Sequence, residues 1–320
     1  MGGSAAQLGS RHRKAACRPC RLAACAPAPL EFARTGLSCH TQPGGVRLVL
    51  APLLVVALLL SVVGWLAGPP LWAAWRRSHI TARPFPSAWR AILRQRFALY
   101  RRLPVPLQRQ LQRHVQVLVA QLPFIGCQGQ VITDEVRVLV SAQAALLLLG
   151  RPAGSFRGLR QVLVYPGAFV VQRPVSEGGI VQDARRVLIG ESWQQGQLIL
   201  SWADVLAGAA DADDGHNVVI HEFAHQLDQE NGPANGAPFL GGREAYGRWA
   251  QSLGAAFDEL RAQLARGETT LIDPYGATDP GEFFAVVSEL FFERPAALAE
   301  KHAALYAELS AYYRCNPLQW

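Results

Sequence analysis

At 320 residues the chain is long enough to bury a full hydrophobic core in one or two domains. Its formal charge of +7 is unevenly spread: residues 1–102 hold 15 Lys and Arg against one acid, Glu31, a balance of +14, whereas the rest holds 16 bases and 23 acids, a balance of −7. The basic excess therefore argues against direct nucleic-acid binding by the C-terminal two thirds and points to a membrane surface, and six cysteines in a chain this long do not make a disulfide framework.

Residues 1–46 carry no buried-face pattern and are rich in Arg, Ala, Pro and Gly, which predicts a disordered basic leader. Cys17, Cys20, Cys25 and Cys39 fall within it, near His12 and His40. One C-x-x-C with no second pair and no apolar periodicity is a weak zinc signature, and a plain leader is the simpler reading. Cys127 and Cys315 stand alone and read as small core hydrophobes. From Leu48 to Trp75 there is no charged residue. Leu48–Gly68 alone supplies the roughly 20 helical residues that cross a hydrocarbon core of about 30 Å. Trp65, Trp72 and Trp75, then Arg76 and Arg77, follow as an aromatic belt and a basic stop. Residues 47–77 are thus predicted to be a transmembrane segment with a basic flank, too long and too far from the N-terminus for a cleaved signal peptide. Arg76, Arg77 and Arg83, set against Arg34, Arg47 and Glu31, favour a single pass through the inner membrane with the C-terminal domain in the cytoplasm. The alternative is a cytosolic protein whose true start lies downstream of the apolar run.

Pro69, Pro70, Pro84 and Pro86 mark a linker, and residues 78–320 are predicted to form the remaining domain. Apolar residues at helical spacing over Ala88–Arg102 and Pro106–Gln121 predict two packed helices. Thr133 with Asp134-Glu135 starts a third, apolar all round from Leu146 to Leu149 and ended by Gly150-Arg151-Pro152. The period then changes. Val162–Tyr165 reads as a strand continued by Phe169–Val171, and Val187–Ile189 with Leu198–Leu200 around Gly196 as a hairpin. Further helices at Arg243–Arg266, Pro280–Phe292 and Ala296–Tyr313 give an α+β fold, mostly helical, with a small sheet and no internal repeat.

Between the sheet and the last helices lies Val218–Asp228, which contains His221-Glu222-Phe223-Ala224-His225. Residues i and i+4 share one face of a helix, so both imidazoles point at the same spot, as two ligands of a tetrahedral zinc ion must. Glu222 lies beside that spot, where it can take a proton from water whose pKa the metal lowers from about 16 to roughly 7. Asp213, Asp214 or Gly215 is the expected cap, and Gly232 suits the stop. A hydrolytic zinc needs one more protein ligand. Asp228, Glu230, Glu282, Glu289 and His216 are the candidates. Asp228 reaches the metal poorly and better serves as acceptor for the outer N–H of a ligand histidine. Asn231 stands where a longer H-E-x-x-H-x-x-G-x-x-H motif would need its third His, which excludes that class. Glu282 and Glu289 share one face of a later helix, and chemistry alone does not choose between them.

These residues sit in a wider pattern. His221–Asp228, Tyr275-Gly276 and Pro280-Gly281-Glu282-Phe283-Phe284-Ala285-Val286-Val287-Ser288-Glu289 resemble the Mlc titration factor A (MtfA) family of zinc-dependent peptidases. So do Ile132-Thr133, Leu146–Gly150, Leu163-Val164-Tyr165-Pro166, Gly190-Glu191-Ser192-Trp193 and Leu200-Ser201-Trp202, and the resemblance spans about residues 85–320. The family's metal centre is similar to that of the catalytic domain of anthrax lethal factor. The resemblance implies that Glu282 is the third zinc ligand, that Tyr275 faces the site and that Glu289 supports it. It also implies aminopeptidase activity and binding of a glucose-responsive, Mlc-like transcriptional repressor. The leader and the apolar segment depart from the family's usual soluble, cytosolic form.

The expected protein is therefore a zincin-type metallopeptidase domain at 78–320 acting on a peptide or protein substrate. One Zn2+ is held by His221, His225 and Glu282, Glu222 is the general base, Tyr275 donates to the oxyanion, and Asp228 and Glu289 stand behind the ligands. The competing expectation is a regulatory protein that sequesters a repressor with little hydrolysis. A structural zinc normally takes four protein ligands, and three good ones are found, which favours catalysis.

Overall fold

The computed structural model describes residues 45–151, 156, 158–167, 169–177, 180–188, 190–193 and 196–320, with the backbone alone over 45–51 and 169–193. The predicted leader, with its four cysteines, lies outside the described residues except for residues 45 and 46. The chain divides into two units, Met1–Gly64 and Trp65–Trp320. One helix, α1 (Gly45–Thr81), runs from the first into the second. Its stretch Pro52–Thr81 is long and apolar enough to cross a bilayer, and its Leu, Val and Trp side chains stand exposed. Pro69 and Pro70, expected to open a linker, lie inside this helix. Each removes a backbone donor but holds φ near the helical value, so the bonds on either side carry the helix through. The linker is residues 82–86.

Three helices follow: α2 (Ser87–Arg96), α3 (Ala98–Arg102) and α4 (Val105–Gln121). The segment read as one helix from Ala88 is interrupted at Phe97, whose backbone is extended while its ring is fully buried. Full burial of such a ring is worth about 1.5–3 kcal/mol, more than the roughly 1 kcal/mol of one backbone hydrogen bond. Next, α5 (Asp134–Leu146) is capped by Thr133, whose hydroxyl accepts from the Val136 amide. It is buried on every side from Val138 onward and runs through the centre of the core.

The strands are β1 (Phe124–Gly126), β2 (Gln161–Tyr165), β3 (Phe169–Glu177), β4 (Ile180–Leu188), β5 (Gly190–Trp193) and β6 (Gln197–Ser201). One sheet has the order β1-β2-β6-β5. Its first three strands are parallel, with Val162 opposite both Phe124 and Leu198, and β5 runs antiparallel along the edge. The expected hairpin around Gly196 exists, with φ 77° at that glycine, but its first strand is β5 rather than Val187–Ile189. Phe169–Val171 does not extend β2: Pro166-Gly167 ends that strand, and β3 pairs with β4 in a ribbon of its own.

The remaining helices are α6 (Trp202–Ala210), α7 (Val218–Asp228), α8 (Arg243–Ala265), α9 (Pro280–Glu293), α10 (Pro295–Lys301) and α11 (Ala303–Tyr313). The last two were expected as one and part at His302. In α9 the rings of Phe283, Phe284, Phe291 and Phe292 are buried; Phe283 meets Phe257 edge-on, and the other three meet Trp249 or Tyr313 edge-on or stacked. That apolar helix forms one wall for α7, and α5 and β5 form others. The architecture is α+β and mostly helical, with the H-E-x-x-H helix beside a small sheet.

Candidate metal centre

The sequence of α7 fixes its orientation. Val219, Ile220, Phe223, Ala224 and Leu227 are all fully buried, which turns His221 and His225 toward the opposite edge of the helix. The cap is Asn217, not the expected Asp213, Asp214 or Gly215: its side-chain oxygen accepts from the Ile220 amide at 3.0 Å. An Asn directly before the first apolar residue was the available signal. The same residue moors the helix. Its side-chain amide donates to Gly208 O and to Glu293 Oε1, each at 3.0 Å, and its backbone N–H donates to Glu289 Oε2.

Opposite, Asp279 caps α9 by accepting from the amides of Gly281 (2.8 Å) and Glu282 (3.0 Å), with Pro280 at the first helical position. This sets Glu282 facing the two histidines. His221 Nε2 lies 3.0 Å from Glu282 Oε2, and His225 Nε2 lies 3.3 Å from both His221 Nε2 and Glu282 Oε2. Zinc–ligand bonds of about 2.0–2.1 Å in a tetrahedron put neighbouring donors roughly 3.3 Å apart. The three separations fit that figure, and the donor set of two imidazoles and one carboxylate is one that zinc takes at catalytic sites. The side chains are 13%, 11% and 20% exposed, so solvent reaches the cluster. Among the described residues no fourth His, Cys, Asp or Glu joins them.

A carboxylate stands behind one ligand. His221 Nδ1 is 2.8 Å from Glu289 Oε1, while the other oxygen of Glu289 accepts from Asn217. Burial works against a charged His221, but Glu282 and Glu289 outweigh it and hold the ring well above the ordinary histidine range. Glu282 is likewise desolvated, yet its hydrogen bonds to His221 and His225 carry it below the ordinary carboxylate range. The cluster favours positive charge.

The other expected site residues are distributed around this centre. Glu222 is 4% exposed, and its charge acts on both His221 and Tyr275. Tyr275 lies in a short 3-10 turn, Pro274–Ala277, with its ring centroid 6.0 Å from that of His221. Its hydroxyl pKa is raised by partial burial first and by the neighbouring Glu282 carboxylate second. Burial raises the Asp228 carboxyl, with the loop amides and then His225 opposing, and its hydrogen bond serves the following loop: Oδ2 accepts from the Gly236 amide at 2.7 Å. Gly236 has φ 74°, and a Cβ there would run into the backbone of Pro280. Its carbonyl accepts from Trp249 Nε1 at 2.8 Å. Asp228 therefore ties the end of α7 to the loop that packs on the start of α9. His216 and Glu230 lie elsewhere. His216 Nε2 is 3.9 Å from Asp273, and Glu230 accepts from the Phe156 amide and pairs with Arg151.

Sequence reasoning missed Glu293, which lies one turn beyond Glu289 and is 2% exposed. Burial first, then the neighbouring Asp214 and Glu289, push its carboxyl up to about 9 despite the bond from Asn217. The folded chain thus keeps this group neutral near pH 7, whereas an unfolded Glu ionises above about 4.3. Its contribution to stability is present in full below that value and is lost as pH rises toward 9, with a slope of up to about 1.4 kcal/mol per pH unit. Denaturant midpoints at pH 5, 7 and 9 are expected to fall less steeply for Glu293→Gln than for the parent. Parallel pH profiles would mean that the buried carboxyl is not protonated.

The family model described as glucose-regulated metallo-peptidase M90 matches residues 72–314. Mlc titration factor A of Serratia proteamaculans is 35% identical over 230 residues, covering 68% of this chain and 86% of its own length. That of Cronobacter sakazakii is 36% identical over 252 residues, covering 76% and 91%. A Synechocystis sp. relative, described only as an uncharacterized protein, is 42% identical over 267 residues, covering 83% of this chain and 97% of its own.

Proposed function

Because the chain belongs to the glucose-regulated metallo-peptidase M90 family, we propose that it is a zinc-dependent, zincin-type peptidase with its reaction centre at His221, His225 and Glu282. The observation that carries this reading is the convergence of those three donors from two helices, beside a buried Glu222, in a cluster that solvent reaches. A bound zinc supplies Lewis acidity toward the scissile carbonyl and toward water.

The chain's own residues do the rest. Glu222 takes the proton of the attacking water and passes it to the leaving amine, a role suited to a carboxylate beside the ligands and not among them. Tyr275 donates its hydroxyl proton in a hydrogen bond to the developing oxyanion; its raised pKa keeps it a donor at neutral pH. Glu289 accepts from His221 Nδ1 and fixes which ring nitrogen faces the metal. The edge strand β5, which lies against α7, offers backbone groups to an extended peptide. Tyr275→Phe is expected to lower kcat by about 10²–10³-fold with metal content and KM little changed. Unaltered turnover would remove Tyr275 from the reaction.

The preferred substrate end is the free N-terminus, as the resemblance to the MtfA family implies. Hydrolysis of amino-acyl reporters beside N-terminally blocked internal peptides, by the full chain in detergent, tests this: equal cleavage of blocked peptides would make it an endopeptidase. A second reading is favoured by the name of its relatives, Mlc titration factor A: the domain also binds an Mlc-like repressor. Retention of such a repressor on the immobilised chain tests it. The proposed layout is a leader at 1–46, a single membrane pass at 47–77 and the peptidase domain at 78–320 on the cytoplasmic side.

A further inference from the structure

The C-terminal turns of α1 do more than end an apolar helix. At 1.5 Å per residue, the twenty residues from Pro52 to Leu71 span about 30 Å, the thickness of a hydrocarbon core, which leaves Trp72–Thr81 at head-group depth. There α1 meets α4. Arg76 reaches the Ala120 carbonyl at 3.2 Å and lies over the Trp72 ring. One turn further, Arg77, Ser78 and Thr81 of α1, Arg113 and His114 of α4, and Arg151 surround a cavity of about 330 Å³. No acid lines it.

The charges in this cavity are only partly met. Arg151 has Glu230 at 3.5 Å and stacks over Tyr312. Arg77 and Arg113 have no carboxylate partner among the described residues, although residues 103–320 hold 23 acids against 16 bases. Ser78 and Thr81 line the same wall, their hydroxyls donating to the helix carbonyls of Trp75 and Arg77. His114, buried beside Arg113, is held neutral, its pKa lowered to about 4 by burial first and by Arg113 second. Two guanidinium groups without a carboxylate suit a phosphodiester, and the volume is that of a small-ligand pocket. The exposed Trp72 and Trp75 beside it offer acyl chains a surface.

Resting on the reading of α1 as a membrane span, we propose that Arg77 and Arg113 form a binding site for the phosphate head group of an anionic phospholipid. The lipid's phosphodiester sits between α1 and α4 while its chains lie along α1. The site fixes the depth and tilt of the peptidase domain against the membrane, and it serves neither the substrate nor the metal.

The test uses the full chain. After carbonate washing of membranes and detergent extraction, native mass spectrometry counts the molecules of phosphatidylglycerol and of phosphatidylcholine with the same chains that stay bound. The parent should retain phosphatidylglycerol preferentially. Arg77→Ala/Arg113→Ala should lose that preference by on the order of 30-fold, with zinc content and reporter hydrolysis unchanged. Arg94→Ala/Arg243→Ala, which removes equal charge elsewhere, should keep it. If the alanine pair extracts poorly, Arg77→Gln/Arg113→Gln carries the same measurement. A preference that survives both pairs, or a parent that holds the two lipids equally, overturns the site while leaving the membrane span standing. Displacement of the lipid by inorganic phosphate would make it a free-anion site and overturn the lipid. A chain released by carbonate without detergent removes the span and the lipid together.

Discussion

The Glu222→Gln chain is expected to bind zinc at the parent's stoichiometry and to hydrolyse peptide reporters about 10²–10⁴-fold more slowly. Gln keeps the size and the buried place of the side chain, which is 4% exposed, but cannot accept a proton from water. Position i+1 on a helix is turned by about 100° from position i, so the change leaves the coordinating atoms of His221 and His225 where they are. The loss should fall on kcat, because the proton transfer belongs to the transition state and not to substrate binding. Metal analysis and steady-state kinetics on the same preparation check this. Turnover at the parent's rate would sink the assignment of Glu222 as base, and loss of zinc would make its role structural.

His225→Ala should lose metal and activity together, and Glu282→Ala should do the same from a different helix. Each removes one of three converging donors, and two remaining ligands hold zinc far less well. The ligands also join α7 to α9: His225 and Glu282 are 57 residues apart in sequence. A ligand at about a hundred times its Kd stabilises the folded state by roughly 2.7 kcal/mol. Chelation is therefore expected to lower the parent's Tm by several degrees, reversibly on adding zinc, and to leave the Tm of His225→Ala unchanged. A His225→Ala chain that keeps both the zinc and the chelator-sensitive Tm would show that the metal sits elsewhere.

Much of this was legible because the signals are local. The i, i+4 spacing of His221 and His225 and the apolar face of Val219, Ile220, Phe223 and Leu227 decide both a helix and its orientation. What local signals cannot carry is partner choice. Glu282 and Glu289 share a helix face, and the choice between them turns on where α9 begins, which Asp279 and Pro280 set, and on how α9 packs against α7. The parallel pairing of β1, β2 and β6 joins strands far apart in sequence, and β1, at three residues, is too short to show alternation. Pro69-Pro70 misled for a related reason: proline reads as a breaker, yet an apolar helix continues through it here. Asn217 was readable as a cap, but its bonds to Gly208 and Glu293 depend on packing.

The double use of Glu289 has a consequence for how this chain tolerates insertions and deletions. One carboxylate oxygen holds the amide that begins α7 and the other holds the ring of His221, so the starting phase of the metal helix is set from α9 and not from the loop before it. A residue added within 211–216 would enlarge a surface loop and leave Asn217 pinned. A residue added between Asn217 and His221 would turn both histidines by about 100° and carry them off the face that meets Glu282. Variation in length among relatives should therefore collect on the N-terminal side of Asn217 and stop there.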